Sequence, residues 1–70
     1  MNEMDVRING NKMNIPQDVN TISKLIAHLN ISNPVIIVEH NAQILQKEDH
    51  ATTEVAPNDN IELIQFVGGG

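Results

Sequence analysis

The dipeptide Asn9-Gly10, flanked on both sides by alternating apolar residues, constrains the fold of this chain more than any other feature. Both central positions of a type I′ turn need positive φ, and Asn-Gly supplies it at low steric cost. A two-residue turn there fixes the register: Ile8 faces Asn11, Val6 faces Met13 and Met4 faces Ile15. Side chains alternate along a strand. Met4, Val6, Ile8, Met13 and Ile15 therefore share one face, and Asp5, Arg7, Lys12 and Asn14 share the other. An apolar face backed by a wet one is the pattern of an antiparallel pair laid over a core.

That apolar face needs a cover, and the next segment supplies it. Ile22, Leu25, Ile26 and Leu29 recur at helical spacing, with Thr21 placed to cap the first turn. Asn30 suits the left-handed residue that ends a helix, and Pro34 blocks continuation. Two to three turns are marginal alone in water, so the stripe is expected to lie on the sheet. Val35-Ile36-Ile37-Val38 then reads as a strand buried on both faces or nearly so. Asn41-Ala42 turns it into a short return at Ile44-Leu45. Gln46 to Ala51 reads as irregular, and Thr52 to Val55 as a brief edge strand. Ala56 to Asn60 is rich in turn formers, and Ile61 to Val67 forms the last strand. The order β-β-α-β-β-β fits a mixed sheet with one helix packed on one face, an α+β domain.

Composition narrows the function. The 70 residues make one domain, 1–70, with about 67 residues folded. Its core must be aliphatic, because the chain has one Phe and no Trp or Tyr. The absence of Cys excludes disulfides, a thiol nucleophile and a Cys-based metal site. No apolar run approaches the roughly 20 residues that span a bilayer, and Met1 to Asp5 is unlike a signal peptide, so a cytoplasmic protein is expected. Nine acidic residues against four basic ones give a net charge of −5. Arg7, Lys12, Lys24 and Lys47 are too few to track a phosphate backbone, and the same field opposes anionic membranes, so neither nucleic acid nor membrane is an expected partner.

The sequence ends Gly68-Gly69-Gly70. Ordering a residue costs about 1–2 kcal/mol of backbone entropy, and glycine has no side chain to repay it, so these three are expected to form a flexible tail. A chain without Cβ atoms can thread a channel that any side chain would block. A terminal carboxylate is a poor electrophile until it is activated, for which adenylation is the usual route. A sulfur nucleophile can then displace the adenylate and leave a thiocarboxylate. None of this requires a catalytic side chain in the protein that carries the carboxyl group.

The hairpin around Ile8-Asn9-Gly10, the helix Thr21-Ile22-Ser23-Lys24-Leu25-Ile26, the segment from Val35 to Asn41 and the ending from Ile61 to Gly70 together resemble the ubiquitin-like β-grasp proteins. The sulfur carriers of thiamine biosynthesis are the nearest branch. The resemblance spans the chain, and the glycine ending is its functionally specific part. It implies that Gly70 is adenylated and becomes a thiocarboxylate, with Gly69 and Gly68 giving access to the enzyme channel. It implies an adenylating enzyme related to ubiquitin-activating enzymes, a cysteine desulfurase as sulfur source and thiazole synthase as acceptor. ATP is then consumed by the partner; the chain binds no cofactor and is not itself an enzyme. The alternative carrier reading is the small subunit of molybdopterin synthase, which shares the fold, the glycine ending and the thiocarboxylate but usually carries prolines before its glycines, where Phe66-Val67 stand here. The Asn58-Asp59-Asn60 turn departs from the Gly-Asp often found in such proteins, and Asn tolerates positive φ there. A different class of reading is a plain interaction module with no chemistry at its end.

Ile64 and Phe66 share a face of the last strand opposite Ile61, Leu63 and Val67. They are candidate partner-binding residues for the activating enzyme if that face is open, and structural residues if the Gln46–Ala51 loop covers it. His28, His40 and His50 lie on separate elements without a close acid, so no metal site is expected. Glu48-Asp49 and Asp59/Glu62 read as solvated acidic faces. Asn30-Ile31-Ser32 matches a glycosylation pattern but lacks a secretory signal. No phosphate-cradling glycine loop is present.

Overall fold

The computed structural model describes residues 2–31 and 35–65, with burial given for 2–31 and 37–65. Strands β1 (Glu3–Ile8) and β2 (Asn11–Pro16) are followed by helix α1 (Ile22–His28). Then come β3 (Val35–His40), β4 (Gln43–Leu45), a 3-10 turn (Lys47–Asp49) and β5 (Asn60–Gln65). The sheet order is β2-β1-β5-β3-β4. Strands β1 and β5 are parallel, and every other neighbouring pair is antiparallel. The last strand thus runs down the middle of the sheet between two hairpins.

The first hairpin has the expected register: Ile8 opposite Asn11, Val6 opposite Met13, Met4 opposite Ile15. Asn9 has φ 50 and Gly10 φ 84, the two positive values that a type I′ turn requires. Met4, Val6, Ile8 and Ile15 are buried on the inner face. The helix covers them. Thr21 is in extended geometry and its hydroxyl accepts from the Lys24 amide, a cap contributing about 1 kcal/mol. Ile22 and Leu25 are fully buried, and Ile26 and Leu29 pack at the margin. Burying each such side chain contributes about 1.5–3 kcal/mol. Asn30, at φ 56, ends the helix as its sequence suggests.

Three expectations need correction. Thr52 to Val55 is not a sheet strand; it makes one isolated bridge, Thr21 to Glu54, beside the start of the helix. Its backbone groups are used there: the Ile22 amide donates to Thr53 O and the Val55 amide to Asn20 O, leaving Val55 free to bury its side chain in the core. The segment before it is not wholly irregular, since Lys47–Asp49 forms a 3-10 turn. In β3, Val38 is fully buried but Ile37 only partly, so the strand faces the core on one side at the described positions.

Candidate functional site

Strand β5 delivers the C-terminal residues, and its surroundings define the site. Gly68, Gly69, Gly70 and Phe66, the residues assigned to tail chemistry and recognition, lie outside the described residues. Alternation along β5 buries Ile61 and Leu63 and turns Glu62 and Ile64 outward. Ile64 is 43% exposed and Ile44, on β4, is 65% exposed. The Gln46–Ala51 loop does not cover them: it is tied to the helix start, with the Ser23 amide donating to His50 O.

Cross-strand register assembles the rest of this outer face. Ile37 pairs with Ile64, Glu39 with Glu62, and Glu39 also with Ile44. Three isoleucines therefore surround two carboxylates held directly opposite each other. Like charges in that position are destabilising. On the same face of the other hairpin Arg7 is directly opposite Lys12. The sequence reading found Ile64 but missed Ile37 and Ile44, because pairing between β3, β4 and β5 cannot be deduced from either strand alone.

The entry to β5 is held by a polar clasp that sequence reasoning also missed. His40 does have a close acid: its Nε2 lies 2.7 Å from Asp59 Oδ2. An ionised carboxylate can only accept, so Nε2 carries the proton. Asp59 also accepts from Asn41 Nδ2 at 3.1 Å and from the Ala56 amide at 2.9 Å. Burial pushes the Asp59 carboxyl up. The hydrogen bonds from Ala56, His40 and Asn41, with the His40 charge, outweigh that and hold it below its ordinary value. Asp59 is thus not part of a solvated acidic face; its side chain is 13% exposed. The expectation for Asn58 holds, since it takes φ 70 in place of glycine. His28 is exposed, and His50 keeps a buried Nε2 without a partner. Among the described residues no three His, Cys, Asp or Glu side chains converge, and no helix is long and apolar enough to cross a membrane.

A five-stranded mixed sheet, one helix across its inner face and a central last strand running toward terminal glycines define a ubiquitin-like β-grasp domain of the carrier class. The profile of the ThiS family matches residues 6–70, and the chain belongs to that family, the sulfur carriers of thiamine biosynthesis. It is 37% identical over 65 residues to the sulfur carrier protein ThiS of Bacillus subtilis (strain 168), covering 93% of this chain and 98% of that one. The crystal structure of the thiamine biosynthesis protein ThiS from Geobacter metallireducens superposes with a TM-score of 0.80 at 26% identity, covering 96% of this chain and all of that one. A thiazole synthase of Paramagnetospirillum magneticum is 31% identical over 67 residues; these are 96% of this chain but only 20% of that protein.

Proposed function

We propose that this chain carries sulfur as a thiocarboxylate on Gly70, formed by an adenylating partner and passed to thiazole synthase. The observation that carries the proposal is that the family match runs through the glycine ending to residue 70. The adenylating enzyme joins the Gly70 carboxylate to AMP from ATP and releases pyrophosphate. The terminal sulfur of a persulfide, ultimately from a cysteine desulfurase, then displaces AMP to give an acyl disulfide, and a thiol reductant cleaves the S–S bond to leave the thiocarboxylate. The chain supplies the carboxyl group and its access through Gly69 and Gly68, and acts as co-substrate rather than catalyst. The thiazole synthase with a segment similar to this chain supports thiazole synthase as the acceptor.

Docking is assigned to the outer face. Ile64, joined by Ile37 and Ile44, offers apolar contact on this face, and alternation along the sequence adds Phe66 to the proposal. The opposed Glu39 and Glu62 call for a basic side chain from the activating enzyme, which would relieve a repulsion present in the free protein.

Incubation with ATP, the adenylating enzyme and a sulfur donor is expected to give the mass gain of one oxygen exchanged for sulfur, located at Gly70. No gain with an active enzyme, or full function with the C-terminal carboxyl amidated, would reject the carrier reading. Glu62→Lys is expected to leave the fold intact and weaken binding to the adenylating enzyme; unchanged binding would remove the docking assignment alone.

A further inference from the structure

We infer that Asn9 is a positioning residue for the C-terminal chemistry: its side-chain amide continues the β1–β5 ladder after β1 has turned away, and holds the backbone of Leu63 on the approach to Gly70. Among the described residues, strands β1 and β5 pair through Arg7 with Asn60 and Ile8 with Ile61. At Asn9 the chain bends into β2, while β5 runs on to Gln65. The Asn9 amide still donates to Ile61 O at 2.9 Å. Beyond that the side chain takes over. Asn9 Oδ1 accepts from the Leu63 amide at 2.8 Å, and Nδ2 reaches Leu63 O at 3.4 Å.

A carboxamide has the donor and acceptor of a peptide group on one planar unit, so it can stand in for one rung of a sheet. The turn itself does not ask for this. Glycine meets the positive φ at that position at least as well as asparagine. What asparagine adds is the grip on a residue 54 positions away. Asn41 provides the contrasting case. It opens the other hairpin turn at the same φ of 50 and also grips β5, but at the strand's first residue: its amide donates to Asn60 O and its Oδ1 accepts from the Asn60 amide, both at 2.8 Å. Asn41 holds where β5 begins, and Asn9 holds it nearer the reacting end. A reacting carboxyl that must enter a partner's channel depends on where its chain departs, and small misplacements slow such reactions steeply.

The inference rests on the carrier reading, and one comparison separates them. Asn9→Gly keeps the turn and removes the rung. Amide hydrogen exchange at Leu63 is expected to accelerate. The turnover of Gly70 thiocarboxylate formation should fall about tenfold while KM for the adenylating enzyme stays near wild type, because the docking face is untouched. Asn41→Gly, which loosens the start of β5, should cost stability without lowering turnover. Normal turnover in a folded Asn9→Gly chain with fast Leu63 exchange would overturn the inference, as would unchanged Leu63 exchange, or an equal turnover loss in Asn41→Gly. If Asn9→Gly fails to fold, Asn9→Asp takes its place with the opposite expectation: it keeps the 2.8 Å acceptor for the Leu63 amide, so slow Leu63 exchange and near-wild-type turnover are expected, and a tenfold turnover loss with Leu63 still protected would overturn the inference. A wild-type chain that gains no sulfur would instead reject the carrier reading itself.

Discussion

The two hairpins that flank β5 use the same turn on very different foundations. Asn9-Gly10 and Asn41-Ala42 are both two-residue loops with positive φ at each position. The first joins two six-residue strands and buries four side chains against the helix. The second ends in a three-residue strand whose central Ile44 points into solvent. One hairpin builds the core. The other pairs along β5, contributes Val38 to that core, is tied to the entry of β5 by polar contacts as well, and presents an apolar edge. The difference places more of the core on the β1–β2 side and leaves Ile44 exposed on the β3–β4 side.

The largest expected effect breaks the first hairpin. Ile15 is fully buried opposite Met4, so Ile15→Ala should cost about 2–5 kcal/mol, much of the total for a domain this small. Leu45, opposite Val38 in the second hairpin, is only partly buried, and Leu45→Ala should cost distinctly less. Urea unfolding of both variants checks the ranking, and equal losses would erase the asymmetry.

The second hairpin is tied to β5 through Asp59 as well. Removing the carboxylate strands the Ala56 amide, His40 and Asn41, and Asp59→Ala should cost about 1–3 kcal/mol. The sign with pH follows from the lowered folded value. The unfolded chain takes up this proton more readily, so the contribution is present above about pH 4 and lost as pH falls through the lower folded pKa. Acid titration of stability should therefore show a shallower acid limb in Asp59→Asn than in wild type. A limb of unchanged slope would mean that Asp59 does not control it.

This contrast also marks what could be read from sequence. The first hairpin was legible to the residue pair because its turn and its alternation are local and agree. The helix was legible for the same reason: the Thr21 cap and the Ile22-Leu25-Ile26-Leu29 stripe lie within one short segment. The clasp was not, because His40 and Asp59 are 19 positions apart and meet only once β3 and β5 pair. Asn9 was read correctly as a turn residue, which hid its bond to Leu63. Thr52 to Val55 had a plausible strand composition, but the helix start claimed its hydrogen bonds before any sheet edge could. Of the site, Ile64 was found by alternation along a single strand, whereas the opposed glutamates required the register between two.

The smallest effect probes the turns directly. Gly10 has φ 84, and a Cβ there would meet nothing within 4 Å, so Gly10→Ala tests backbone strain alone. Left-handed geometry costs a residue with a Cβ about 1–2 kcal/mol, part of which returns because alanine also restricts the unfolded chain. A net loss of about 0.5–1 kcal/mol is expected. Ala42 already bears that strain at φ 72, so Ala42→Gly should gain a similar amount. Exchanging the two residues in one double variant should then leave stability nearly unchanged, provided the turns are independent. A double-variant change that departs from the sum of the two single changes would show that the two hairpins communicate through β5, the strand both asparagines hold.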